Sequence, residues 1–340
     1  MIVVTFNERE LIERCLPRLT EQLTEDDELI IADNCSDDGT VEAVERLAPA
    51  ATVLRMDSNN GYMPACNAAA EHARGDVIVT LDADVIPGPG FCDAIRRPAA
   101  DGRGWAGWMG LVTMDDGRLI NTSGGVSHFT GLSWAGQVGE PLDAASPSPR
   151  EVSFLTGACL AIPRAAWERE TGFAPDFFLY FDDVDWCFRT RLTGGRIGIE
   201  PTARVDHLYD FTKRRVKWRL LERNRWATVI RTYPSELLLL LLPALVLTEL
   251  ALPVIALRWG WLREKLEADV DVIRWLPRLL RERREIQKRR TISAAEFADH
   301  LTAELSSPYF GGVGRSRVLR AGMRAYWAVV RRLLEPTRRR

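Results

Sequence analysis

Within its first 84 residues the chain repeats one arrangement: a short apolar run of strand length, then a stretch of helical periodicity. The apolar runs are residues 2–6, 28–32, 52–56 and 76–81, and the helical stretches are 8–23, 38–47 and 63–73. Such alternation predicts right-handed crossovers and a mostly parallel sheet flanked by helices. Two runs end in carboxylates: Asp33 follows Leu29-Ile30-Ile31-Ala32, and Asp82 follows Val77-Ile78-Val79-Thr80-Leu81. In an open parallel sheet, ligands bind beyond the carboxyl ends of the strands. Acids far apart in sequence are therefore expected to converge on one cleft. Two later segments, Asp182-Asp183-Val184-Asp185 and Asp206-His207, are candidates to join them. A converging acid cluster with a histidine suggests an oxygen-rich metal site that handles phosphates.

Each of these segments also has a plainer structural reading. Asp82-Ala83-Asp84 sets two carboxylates on one side of an extended turn, suited to a divalent cation or a ribose hydroxyl, but acid pairs are common in solvated turns. Asp33 can accept the imide N–H of a pyrimidine base, while Asn34, Ser36 and Asp37 can cap the next helix. Asp182, Asp183 and Asp185 fall in the first turn of a helix expected over 182–192. There they complement the helix dipole, which also keeps a general base ionised. His207 is a candidate to complete the metal shell.

The remaining chain reads less regularly. Strands are expected near 105–113, 154–162, 196–200 and 203–207, with a long loop over 121–149. Trp105, Trp108 and Trp134 are candidates for sugar-stacking platforms or for core positions. The six cysteines are scattered with no C-x-x-C spacing, which argues against a zinc site and a disulfide scaffold and for a reduced, cytoplasmic setting. Met1 runs directly into Ile2-Val3-Val4-Thr5-Phe6 without a basic n-region, so no signal peptide is expected. A strand starting this close to residue 1 is consistent with missing opening residues or a misassigned start.

Charge divides the chain. Residues 1–210 hold 17 Lys and Arg against 34 Asp and Glu, and residues 211–340 hold 28 against 13. The basic rear half calls for an anionic partner, phospholipid or nucleic acid, or else is a solvated helix surface. Residues 213–231 form a basic amphipathic stretch, followed by residues 237–257, apolar except for Thr248 and Glu249. As a helix the apolar stretch measures about 31 Å, close to the hydrocarbon thickness of a bilayer. Its 14 Leu, Ile and Val residues favour insertion by roughly 0.3–0.6 kcal/mol each, against about 3 kcal/mol for a central Glu. Trp259 and Trp261 sit where interfacial aromatics belong. Basic residues flank both ends (Arg223, Arg225 and Arg231; Arg258, Arg263 and Lys265), which favours a re-entrant or interfacial element over a span, with a buried core helix as the alternative. Residues 273–290 and 318–332 repeat the basic amphipathic pattern.

The joint order of motifs resembles the family 2 glycosyltransferases of GT-A fold, particularly their rhamnosyltransferase-like branch. The motifs are Val4-Thr5-Phe6-Asn7-Glu8, Asp33-Asn34-Cys35-Ser36-Asp37-Asp38-Gly39-Thr40, Asn59-Asn60-Gly61 with Asn67, Asp82-Ala83-Asp84, Thr156-Gly157-Ala158, Tyr180-Phe181-Asp182-Asp183-Val184-Asp185 and Asp206-His207. The resemblance covers residues 1–210. It implies an α/β catalytic domain there, while the charge and apolar pattern read above divides the rest into a basic amphipathic helix and membrane segment over 211–262 and a basic helical region over 263–340.

The resemblance further implies Mg²⁺ or Mn²⁺ on Asp84, with Asp82 and His207, and a UDP- or dTDP-sugar donor held by Thr5, Asn7, Glu8, Asp33, Asn34, Ser36, Gly61, Asn67 and Asp82. Asp183 maps onto the catalytic base, beside Asp182 where the family usually has Glu. Gly157, Asp185 and Trp186 map onto the acceptor side. The hydroxyl residue that follows the family histidine maps onto Thr212.

The implied activity is inverting, metal-dependent transfer of a hexose, with rhamnose a candidate, to a lipid-linked or envelope glycan. The setting is the cytoplasmic face of the cell membrane, with phospholipid and no nucleic acid as partner. A nucleotidyltransferase would want a Gly-rich loop after the first strand, where this chain has Asn7-Glu8-Arg9-Glu10. A processive synthase would want Q-x-x-R-W and several spans. A membrane-tethered adaptor would bind neither metal nor nucleotide.

Overall fold

The computed structural model describes residues 1–208, 216–306 and 316–338. Thr212 and the start of the 213–231 stretch lie outside them. The chain forms two compact units, the first made of residues 1–125, 135–186 and 196–210, the second of 126–134, 187–195 and 211–340.

The first unit is built from the alternation that the sequence shows. Strands β1 (Ile2–Thr5), β2 (Ile30–Asp33), β3 (Thr52–Arg55) and β4 (Val77–Asp82) alternate with helices α1 (Arg9–Thr20), α2 (Thr40–Leu47) and α3 (Tyr62–His72). They stand in the order β3-β2-β1-β4, all parallel. β1 and β2 are wholly buried, as expected for strands covered on both faces.

β5 (Val85–Pro87), α4 (Phe91–Ala100), β6 (Trp105–Met114), β7 (Leu119–Thr122), β8 (Gly125–Ser127), β9 (Ser133–Ala135), β10 (Arg150–Glu151), β11 (Cys159–Pro163) and α5 (Arg164–Arg169) follow. Then come α6 (Asp182–Leu192) and β12 (Arg196–His207). This half of the sheet is mixed: β11 runs antiparallel to β4 and β6, and β12 is parallel to β6 but antiparallel to β5 and β10.

Two expectations change here, and one open choice is decided. Residues 121–149 are no structureless loop, for they carry β8, β9 and a 3₁₀ turn at Leu142–Ala144. The two short strands expected over 196–207 are one, kinked by a bulge between Glu200 and Arg204. Trp105, Trp108 and Trp134 are buried, Trp108 donating its indole N–H to Ile95 O at 2.7 Å, so they are core rather than sugar platforms.

The second unit contains helices α7 (Val216–Thr232), α8 (Ser235–Trp259), α9 (Leu262–Lys288), α10 (Ala294–Ala298) and α11 (Arg317–Leu334). Phe188, Tyr233 and Phe297 form an edge-to-face trio with centroids 5.3–6.0 Å apart. Trp261, expected at an interface, is instead buried and stacks on Trp218 at 4.9 Å.

The single acid within the apolar run of α8, Glu249, binds the Arg225 guanidinium and accepts from Lys265 Nζ at 2.6 Å. Arg225, itself buried, also pairs with Glu222 at 2.9 Å, and buried Lys265 with Asp269 at 2.6 Å. The network ties α7, α8 and α9 together. Removing one partner from such a set leaves uncompensated buried charge, at a cost of about 3–5 kcal/mol. Arg225→Met is therefore expected to lower stability by about that amount, read as a shift of the urea midpoint at unchanged slope. A loss below about 1 kcal/mol would show that the network is solvated.

Candidate active site

The site lies along the carboxyl ends of β1, β2 and β4, where register does the positioning. Thr5 stands opposite Asp33 on β1 and β2, and Val4 opposite Asp82 on β1 and β4. Asp33 is buried, its Oδ2 accepting from the Ser36 N–H at 3.1 Å. Among the described residues, Asp33 Oδ1 and Thr5 Oγ1 are buried and have no hydrogen-bond partner, a costly state unless a ligand supplies one.

Asn7, held at φ 54°, stitches the turn after β1 to the turn after β2. Its N–H donates to Ser36 Oγ at 2.9 Å, and its Oδ1 accepts from the Asp37 N–H at 2.9 Å. Glu8 donates its N–H to Thr40 Oγ1 at 3.0 Å, and Asn34 donates its side-chain amide to Gly61 O at 3.2 Å.

His207 reaches the acid turn through β-pairing. β12 runs antiparallel to β5 with His207 opposite Val85, and the Leu208 N–H donates to Asp84 O at 2.8 Å. His207 Nε2 then lies 3.0 Å from Asp84 Oδ1, both side chains nearly buried. One ligand atom each from Asp82, Asp84 and His207 lies within 4.8 Å of the others. Two carboxylates and an imidazole at this spacing fit a hard or borderline divalent cation such as Mg²⁺ or Mn²⁺. Asp206 serves the strand instead, its Oδ1 accepting from Thr113 Oγ1 at 2.8 Å and the Gly117 N–H at 3.0 Å.

Gly157 brings the second acid pair alongside. The Asp82 N–H donates to Ala158 O at 3.2 Å, and the Gly157 N–H donates to Asp183 Oδ2 at 3.0 Å. A Cβ on Gly157 would stand 3.4 Å from Asp182 Oδ2 and 4.0 Å from Asp183 Oδ2, so hydrogen at this position leaves both carboxylates room. Burial, then the neighbouring Asp183 and Asp82 charges, push the Asp182 carboxyl well above its ordinary range. Burial also raises Asp183, to about 6, against the pull of the Val184 and Gly157 N–H groups.

Three residues carried over from the resemblance have other roles. Asn67 uses both ends of its amide on the Phe173 backbone, at 2.9 Å each, and so clamps α3 to the segment leading to the acid pair. Asp185 and Trp186 are fully buried, and the Trp186 ring lies where a Cβ on Gly107 would touch it at 3.0 Å; both belong to the core under the site rather than to an acceptor surface.

Two features had no signal in sequence. Phe178, Tyr180 and Phe181 all adopt left-handed φ, at 68°, 70° and 67°, in a stretch without glycine. Tyr62, at the start of α3, has a buried hydroxyl whose ionisation burial, Cys66, Asp82 and Asp182 all oppose. Gly61 permits this packing, since a Cβ there would lie 2.4 Å from Phe178 O.

Residues 1–107 match the model of glycosyl transferase family 2. The chain is 29% identical over 232 residues to N-acetylglucosaminyl-diphospho-decaprenol L-rhamnosyltransferase of Mycobacterium tuberculosis, a match covering 61% of this chain and 75% of that protein. It is 28% identical over 145 residues to undecaprenyl-phosphate 4-deoxy-4-formamido-L-arabinose transferase of Aeromonas hydrophila, covering 39% and 44%. Among solved structures, GalNAc-T7 with UDP, GalNAc and Mn²⁺ superposes with a TM-score of 0.56 at 16% identity, over 69% of this chain and about half, 48%, of that one. The expected architecture, a GT-A type sheet flanked by helices, holds.

The raised carboxyls of Asp182 and Asp183 make the folded chain bind more protons than the unfolded one between about pH 4 and the folded values. Their contribution to stability therefore falls as pH rises through that window. Asp182→Asn, which removes one buried charge, is expected to raise Tm relative to the parent in EDTA, by an increment that grows from pH 4 to pH 8. An increment that shrinks with pH would refute the electrostatic account.

Proposed function

We propose that this chain, whose residues 1–107 match the model of glycosyl transferase family 2, is a glycosyltransferase that inverts the sugar it transfers, moving a hexose from a UDP- or dTDP-sugar to a lipid-linked or envelope glycan. The observation that carries this reading is the single strand-end row on which Asp33, the Asp82–Asp84–His207 cluster and the Asp182–Asp183 pair converge. Both relatives are named for polyprenyl-linked substrates, which supports a lipid-linked acceptor, and the mycobacterial name makes rhamnose the first sugar to test.

Asp84, Asp82 and His207 would hold Mg²⁺ or Mn²⁺, which when bound supplies charge neutralisation to a departing diphosphate. Asp33 Oδ1, buried without a partner among the described residues, is poised to accept the imide N–H of uracil or thymine, with Thr5 Oγ1 beside it on the next strand. Asp183 takes the proton from the acceptor hydroxyl as that oxygen attacks the anomeric carbon in line. The Gly157 N–H fixes its Oδ2, and a value near 6 leaves it ionised at neutral pH yet more basic than an exposed carboxylate. Holding donor and acceptor in line removes several kcal/mol of the barrier. The donor is a cytoplasmic metabolite, so the proposed setting is the cytoplasmic membrane face.

Three results are expected. Asp84→Ala and excess EDTA each abolish transfer; full activity in EDTA would sink the metal assignment. Calorimetry shows UDP or dTDP binding at least tenfold more tightly than GDP, and Asp33→Ala erases the difference; preference for GDP would overturn the base assignment. Asp183→Asn lowers kcat by about 10³-fold or more at near-constant donor affinity, and the parent's rate rises with pH through about 6. An active Asp183→Asn with a dead Asp182→Asn would move the base by one residue.

A further inference from the structure

The exposed apolar side chains are not spread over the molecule. Of the 20 large hydrophobic residues exposed among the described residues, all but Phe6 and Phe178 lie beyond residue 216. On α8 they follow helical spacing: Leu239, Leu242, Val246, Leu250, Val254 and Leu257 form one stripe, exposed by 49–74%. The opposite face, Leu237, Leu241, Leu245, Leu252 and Ala256, is buried within the unit. α9 shows the same device with Leu266, Val270, Ile273 and Leu280, beside exposed Arg274, Arg281 and Arg284. α11 adds Val318, Val329 and Leu333 beside exposed Arg317 and Arg332. Apolar stripes rimmed by arginine are the signature of helices lying in the interface of an anionic bilayer.

The ion network argues against a span. α8 is long and apolar enough to cross a membrane. It is bound through Glu249 to Arg225 of α7 and Lys265 of α9. Separated from those helices, it would strand charges at bilayer depth; crossing with them, it would carry their arginines and carboxylates into hydrocarbon. Lying in the plane with only its outer stripe immersed, α8 keeps the network intact and leaves both basic ends in the headgroup layer.

We propose that helices α7 to α11 form a monotopic membrane dock, in which α8 lies parallel to an anionic phospholipid bilayer and α9 and α11 add arginine-rimmed apolar stripes. The proposal rests on the surface of this unit and is independent of the transferase reading, so its test needs no catalysis.

The full chain, purified in mild detergent, is mixed with phosphatidylcholine vesicles with or without 30 mol% phosphatidylglycerol and floated on a density gradient. Binding is expected to be at least tenfold stronger with phosphatidylglycerol and only partly reversed by 1 M NaCl. Leu239→Glu combined with Leu250→Glu should cut flotation at least tenfold with unchanged circular dichroism, because both positions are solvent-facing. Undiminished flotation of that variant, or a stable detergent-free dimer that does not float, would overturn the dock. In membranes from expressing cells, cysteines at Ser235 and Arg258 in a Cys35→Ser background should react with an impermeant maleimide from the same side. Reaction from opposite sides would mean a span and would equally overturn it.

Discussion

Strand β4 sets where each carboxylate of the site stands. Its parallel ladder with β1 puts Asp82 opposite Val4, one residue short of the Thr5–Asp33 pair. Its antiparallel ladder with β11 puts Cys159 opposite Leu81, so that Ala158 meets Asp82 where the strand ends and Gly157 follows beside Asp183. A one-residue slip in either ladder would turn every side chain to the other face of the sheet. Beyond the end of β4, the β5–β12 pairing returns His207 to Asp84.

Carboxylates gathered this closely oppose one another and the burial around them. Asp182 and Asp183 both sit above their ordinary range. The chain tolerates this because backbone N–H groups of Gly157 and Val184 meet Asp183, and because the surrounding segment is over-determined. Asn67 holds Phe173, and the Tyr62 N–H holds Phe178 O at 2.8 Å. Three neighbouring non-glycine residues at positive φ, Phe178, Tyr180 and Phe181, store strain immediately before the acid pair. A divalent cation beside Asp82 would relieve the repulsion and favour the ionised forms. Metal binding and stability at neutral pH are thereby linked.

The second unit resolves a different conflict. A helix apolar on all sides is stable only when covered on all sides. α8 is covered on one face alone, and its single central acid points to that covered face, where Arg225 and Lys265 meet it. A buried ion network inside this unit and a long exposed apolar stripe on its outside both depart from the usual distribution in a water-soluble bundle.

Local pattern alone determined much of this protein. Strand and helix alternation over the first 82 residues, the acids that close β2 and β4, the start of α6 at Asp182 and the existence of α8 all follow from period, propensity and capping, which act within a few residues. The same local reasoning misplaced Trp261 and left Trp105, Trp108 and Trp134 open between core and surface, because an aromatic ring suits both equally and only its neighbours decide. Pairing was beyond local reach as well. Nothing near His207 announces Val85 as its partner, and nothing near Glu249 announces Arg225 and Lys265. Those contacts are made between residues from 16 to more than a hundred positions apart, and sheet register and helix packing, which are properties of the whole fold, decided them.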